Sequence, residues 1–361
     1  MSKSIFIGME ASNGYVKATS NITKGEVDTY LNTLTPVSED VYNASQSEDS
    51  LEEVYSIQLP LETETQYYKV NKTITSDEQI FFSDDDKSKY TSDEWIMANL
   101  IAVYRQIQST DFAGVNMYLV TGLPTNHSKD ENLKKEIKRV LTKSYTVNGK
   151  IVRIHDVSII PQGDASFFND LITVEGEFDP EFLKETTPDD EDQQSTLLYF
   201  DIGFGTTDVK TVIDYAIVPT KSKELPGMEA QWVKVMDKAI EENPELAGIE
   251  ILGVEKQLRS GGEIDINKEK ANVSLDRDKI LLAFAKQLVG TIGKAPFKGM
   301  LIDQIRFVGG GTIVMEPYIK EVLKDKYKDN PEHIKKFKFI KNSQATNALG
   351  FYKMCLKKYN Q

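Results

Sequence analysis

Tyr199-Phe200-Asp201-Ile202-Gly203-Phe204-Gly205-Thr206-Thr207-Asp208-Val209 decides how the chain is read. An apolar strand ends in an acid, a tight turn with two glycines and two threonines follows, and a second strand begins. Glycines let backbone N–H groups turn inward and approach an anion closely. Thr206 and Thr207 add hydroxyl donors, and Asp201 stands where a magnesium ion or its waters would bridge to phosphates. Taken alone, the stretch also fits an ordinary hairpin turn, which glycine and aspartate fill everywhere.

The same device occurs near the N-terminus. The strand Ser4 to Met9 runs into Glu10-Ala11-Ser12-Asn13-Gly14-Tyr15-Val16-Lys17. Each second strand carries a lysine, Lys17 in one and Lys210 in the other. Two acid-tipped hairpins about half the chain apart suggest two similar half-domains facing a cleft. A third turn, Phe307-Val308-Gly309-Gly310-Gly311-Thr312, follows the strand Gln304 to Val308. Adjacent glycines at a strand-to-helix turn admit a phosphate or a flat ligand.

Together these residues resemble the actin-fold ATPases, the superfamily that includes heat-shock chaperones and sugar kinases. The two hairpins match its first and second phosphate loops, and the triple glycine its adenosine loop. The narrower likeness is to the ParM-like, plasmid-segregating bacterial actins. It rests also on Val120-Thr121-Gly122-Leu123-Pro124, Ile160-Pro161-Gln162-Gly163-Asp164-Ala165, Val254 to Gly261 and Ala345 to Phe351. The chain departs from the family's pattern at Glu10, Ser12 and Phe204, where the family usually has Asp, Gly and Gly. Glutamate is one methylene longer than aspartate, which bears on hydrolysis more than on binding.

The resemblance implies an α/β, actin-like fold: two related halves of mixed β-sheet flanked by helices around a nucleotide cleft. The first domain is expected over residues 1–165 plus 343–361, with a small variable subdomain at about 33–90. The second is expected over 166–342, with an acidic excursion at about 178–196. ATP or GTP with Mg²⁺ would be bound by Ser12, Asn13, Gly14, Lys17, Gly203, Gly205, Thr206 and Thr207 on the phosphate side. Gly309, Gly310, Gly311, Thr312, Lys256 and Arg259 would serve the nucleoside side. Glu10 and Asp201 would hold Mg²⁺ through its waters. Gln162, with Asp164 as second candidate, would position the attacking water. A neutral glutamine orients water but is a poor base, so slow turnover is implied.

The implied function is a filament whose stability follows its nucleotide and which segregates plasmid DNA through a basic, DNA-bound adaptor of ParR type. A non-polymerising nucleotide switch and a small-molecule kinase of the same superfamily are the alternatives. Composition agrees with the adaptor. The net charge of −13 argues against direct, non-specific DNA binding, which needs a basic surface. Acidity concentrates in Asp84-Asp85-Asp86 and Asp189-Asp190-Glu191-Asp192, read as solvated loops. No signal-peptide pattern opens the chain and no apolar run is long enough for a bilayer, so a cytoplasmic protein without membrane contact is expected. The single cysteine, Cys355, excludes an internal disulfide and reads as core packing.

Local signals predict the helix starts. Thr91 with Glu94, and Ser128 with Glu131, form capping boxes. A later helix starts near Glu316 with Pro317 in its first turn, and the last starts near Ser343 and crosses back to the first half.

Overall fold

A computed structural model describes residues 4–12, 14–47, 50–60, 62–72, 87–188, 193–266 and 268–360. Asn13 and both acidic runs named above lie outside the described residues. The chain divides into two units, Met1–Asp179 with Ala345–Gln361, and Pro180–Gln344.

In the first unit the strands are β1 (Ser4–Ala11), β2 (Tyr15–Ser20), β3 (Asp28–Leu31), β4 (Leu34–Pro36), β5 (Val54–Gln58), β6 (Gln66–Val70), β7 (Asn116–Leu123), β8 (Ser144–Val147) and β9 (Lys150–Pro161). Among the described residues they form one mixed sheet in the order β3-β2-β1-β7-β9-β8-β5-β6-β4. β1, β7 and β9 run parallel at its centre. The helices are α1 (Glu39–Ser45), α2 (Asp93–Ile107), α3 (Glu131–Leu141) and α4 (Ala165–Leu171), with the last helix, Thr346–Tyr359.

Central parallel strands are covered on both faces, and β1 shows how. Side chains alternate along a strand. Ile5, Ile7 and Met9 pack into one core with Trp95, Leu100 and Ile101 of α2. Phe6 packs on the other face with Phe351, Tyr352 and Cys355 of the last helix. Gly8 lies on that second face, and a β-carbon there would come within 2.1 Å of the Tyr352 backbone nitrogen. The last helix therefore docks where β1 has no side chain.

Residues 166–179, expected with the second half, belong to the first unit. Packing explains the difference. α4 lies against the last helix so closely that a β-carbon on Gly350 would come within 1.9 Å of the Ala165 carbonyl oxygen.

In the second unit the strands are β10 (Thr196–Ile202), β11 (Thr206–Ile213), β12 (Ala216–Ile217), β13 (Lys223–Pro226), β14 (Glu263–Ile266), β15 (Glu269–Asn272), β16 (Gln304–Val308) and β17 (Phe337–Phe339). The main sheet runs β12-β11-β10-β16-β17, with β13 also paired to β11. Its helices are α5 (Pro180–Thr186), α6 (Met228–Glu242), α7 (Ile251–Ser260), α8 (Ser274–Thr291) and α9 (Thr312–Lys326). Leu198, Phe200 and Ile202 of β10 share a core with Trp232, Met236, Leu281 and Phe284. The expected acidic excursion begins with α5.

Three helix starts differ from expectation. Ser92, not Thr91, caps α2 and accepts from the Trp95 N–H at 3.2 Å, because Thr91 ends a preceding 3₁₀ turn and its hydroxyl donates to the Ser88 carbonyl. Asp130, not Ser128, caps α3, accepting from the Asn132 and Leu133 N–H groups; the Ser128 hydroxyl is engaged by the Thr125 carbonyl. α9 begins at Thr312, directly after the glycines, which leaves Pro317 inside the helix. Among the described residues no helix is long and apolar enough to cross a membrane.

Candidate functional site

In the first unit, several of the residues singled out from the sequence collect at the carboxyl ends of the parallel strands, the end at which open α/β sheets bind ligands. Glu10 lies near the end of β1, and Gln162 directly follows β9. Between them Gly122 of β7 is so close that its β-carbon would lie 3.1 Å from the Gln162 Cα.

Glu10 is the hub of this end. It is only 4% exposed. Lys17 is its cross-strand partner on β2 and donates from Nζ to Glu10 Oε2 at 2.7 Å. Gln162 Nε2 donates to Glu10 Oε1. Asn347 Nδ2 donates to the same oxygen at 3.0 Å, and Asn347 Oδ1 accepts from the Ser166 hydroxyl at 2.9 Å. A carboxylate has about four acceptor sites, so one remains for a ligand or its water. Lys17, expected to neutralise phosphate charge, has one of its three donors on Glu10.

The turn that follows is held from both sides. The Ser12 N–H and hydroxyl both donate to the Tyr15 carbonyl, at 3.1 and 2.8 Å. The Ser12 amide thus closes the hairpin, where phosphate contact was expected. Asn32 donates from its backbone to the Gly14 carbonyl and from Nδ2 to the Ser12 carbonyl. Asp164 ends the 3₁₀ turn that Gln162 starts and is partly buried.

The second loop has a different support. Three successive carbonyls, of Gly203, Phe204 and Gly205, accept from the N–H groups of Met228, Glu229 and Gly227 at the start of α6. A trans peptide points each carbonyl and the following N–H to opposite sides. The amides of Phe204, Gly205 and Thr206 therefore face away from α6. Gly227 allows this approach, since a β-carbon there would meet the Phe204 carbonyl oxygen at 2.4 Å. The Thr207 hydroxyl donates to the Pro226 carbonyl, and Thr207 is fully buried.

β10 and β16 are parallel with Asp201 opposite Val308, so the acid and the triple glycine meet at one end of the sheet. Gly309 has a φ of +83°. The Gly311 N–H donates to the Ile202 carbonyl at 2.8 Å. The Thr312 hydroxyl turns back to the Val308 carbonyl. Arg259 on α7 donates to the Gly310 carbonyl at 3.1 Å and to Glu255 at 2.9 Å, whereas Lys256 is solvent-exposed and shows no tie to the glycines. Asp201, Gly203, Gly205, Thr206, Arg259 and the glycines are thus gathered in one unit, and Glu10, Ser12, Gly14, Lys17 and Gln162 in the other.

Asn347 and Asp208 were not singled out from the sequence. Asp208 is paired across the hairpin with Asp201 and is equally buried. Asn347 reaches Glu10 across 337 residues, a distance no local pattern signals.

Comparison with known proteins bears on the fold. Residues 12–163 match the family model described as the N-terminal domain of actin-like proteins. No curated protein matches the chain. Among solved structures, a 15-stranded ParM filament from Clostridium botulinum aligns with a TM-score of 0.74 at 17% identity, covering 98% of this chain and 99% of that one. The chain has an actin-like fold. A non-polymerisable quadruple mutant of pCBH ParM gives 0.74 at 15% identity over 98% and 99% of the chains. An archaeal actin homolog in complex with ADP gives 0.67 at 16% over 96% and 97%. This actin-like chain is therefore similar in fold to ParM-type proteins along nearly its whole length.

Proposed function

We propose that the actin-like chain is a slow nucleoside triphosphatase that forms filaments and segregates plasmid DNA through a basic, DNA-bound adaptor of ParR type. The observation that carries the reading is the second loop. α6 takes up its carbonyls and leaves the amides of Phe204, Gly205 and Thr206 turned the other way, beside Asp201 and the triple glycine. Such amides suit phosphate oxygens. Gly310 leaves room for the nucleoside end, since a β-carbon there would meet nothing nearer than 3.6 Å, and Arg259 donates to its carbonyl.

Asp201 is a hard oxygen donor of the kind that holds Mg²⁺ through its waters, whereas the carboxylate of Glu10 is taken up mainly by Lys17, Gln162 and Asn347. Mg²⁺ of this kind is held by one or two carboxylates together with the substrate phosphates, so it would arrive with the nucleotide. Bound Mg²⁺ would neutralise charge on the phosphates. Gln162 would orient the attacking water, and lacking a charge it would do so without taking the proton readily. Nucleotide would favour one arrangement of the protein, and the filament would follow that preference. A net charge of −13 leaves DNA contact to the adaptor.

Titration of the purified protein with labelled ATP, GTP and ADP, with and without Mg²⁺, tests the ligand. Triphosphate binding is expected to depend on Mg²⁺ and to be abolished by Asp201→Ala. Equal binding by the Asp201→Ala variant overturns the assigned site.

A further inference from the structure

We propose that Glu10 is a positioning residue that sets which end of the Gln162 amide meets the attacking water; the proposal rests on the triphosphatase reading above. An ionised carboxylate only accepts hydrogen bonds. The Gln162 group facing Glu10 Oε1 must then be its NH₂. The planar amide turns its carbonyl oxygen away from Glu10, where it would accept a hydrogen bond from a water and leave that water's lone pair free for attack.

The carboxylate is itself fixed. Lys17 holds one oxygen and Asn347 the other. Asn347 cannot turn over without loss, because its own carbonyl oxygen takes the Ser166 hydroxyl. Ser166 is fully buried and Asn347 nearly so. The order is therefore directional: Ser166 donates to Asn347, Asn347 to Glu10, and Gln162 to Glu10. The extra methylene of glutamate is what this arrangement uses. An aspartate at position 10 withdraws the carboxylate by about 1.5 Å, one carbon–carbon bond, and releases the Gln162 NH₂. Gln162 then samples both amide orientations, only one of which presents an acceptor to the water.

The test has two arms, both on the full chain. The first reads phosphate release for wild type, Glu10→Asp, Gln162→Ala and the double variant. Misplacing a reacting group by about 1 Å costs up to about 100-fold. The expectation is kcat lower by about 10-fold for Glu10→Asp and about 100-fold for Gln162→Ala, with KM and thermal midpoint little changed. The double variant is expected to be no slower than Gln162→Ala alone, because Glu10 acts through Gln162. A double variant whose loss is the product of the two singles overturns the proposal.

The second arm needs no nucleotide. It follows the side-chain NH₂ resonances of Gln162 by NMR in wild type and Glu10→Asp. A signal displaced in wild type and returned to ordinary values in the variant supports the contact. Ordinary values in both overturn it, whatever the activity. A displaced signal in a protein that binds no nucleotide overturns instead the triphosphatase reading, and the water-orienting role with it.

Discussion

Gly309 rests directly against Asp201: a β-carbon at Gly309 would come within 2.3 Å of Asp201 Oδ1. The parallel pairing of β10 with β16 brings them together, and the φ of +83° at Gly309 turns the chain immediately after the strand. Gly309→Ala therefore meets both strain and a clash with a buried carboxylate. It is expected to destabilise the protein by about 1–3 kcal/mol and to weaken triphosphate binding by at least about 10-fold. Denaturant unfolding and nucleotide titration check both. An alanine variant with wild-type affinity contradicts the placement of the triple glycine beside the ligand.

The last helix closes the first unit over two glycines. Gly8 faces the Tyr352 backbone and Gly350 faces the Ala165 carbonyl, each with no room for a methyl group. Gly8→Ala or Gly350→Ala is expected to cost about 1–3 kcal/mol, and more if the helix is displaced. Gly149 has open space and serves as the control, since its variant probes only the backbone term of a φ of +72°. Equal losses at all three positions, measured by urea unfolding, contradict the close packing of the last helix.

Trp232 is fully buried, and its indole N–H has no hydrogen-bond partner among the described residues. A buried donor left unpaired costs about 1–3 kcal/mol. Trp232→Phe loses ring area but removes that donor. The expected change is within about 1.5 kcal/mol, against about 3–5 kcal/mol for Trp232→Ala. Chemical unfolding of the two variants side by side tests this. A phenylalanine variant as damaged as the alanine one would show that the indole N–H is satisfied.

Cys355 lies fully buried on the last helix, and its Sγ donates to the Tyr118 carbonyl at 3.3 Å. Burial pushes its thiol up to about 12. The thiolate is the reactive form, so the native protein is expected to resist alkylation at pH 8 and to react only as it unfolds. The raised value also means stability is unaffected by this group below the ordinary value of 9.0 and falls as pH climbs from there toward 12. Rapid labelling of native protein at pH 8 contradicts this placement.

Hairpins and the triple glycine were legible because each is local: an apolar run, an acid and glycines within about a dozen residues. The strand Gln304–Val308 has the bounds its sequence predicts. Helix caps were less legible for a physical reason. Thr91 and Ser92 are both competent caps, and the choice depends on the 3₁₀ turn that already engages Thr91. Likewise Asp130 displaces Ser128 because the Ser128 hydroxyl is satisfied by Thr125. The partners of Glu10 were the least legible. Gln162 stands 152 residues away and Asn347 stands 337 away, and only the folded sheet and last helix bring them to one carboxylate.

A filament governed by nucleotide must assemble and come apart with the state of that nucleotide. High-speed sedimentation with Mg²⁺ and ATP, GTP, ADP or no nucleotide, with phosphate release followed in the same tubes, tests it most directly. Pelleting is expected to require triphosphate and to reverse as phosphate is released. A protein that binds triphosphate yet stays in the supernatant under every condition contradicts it.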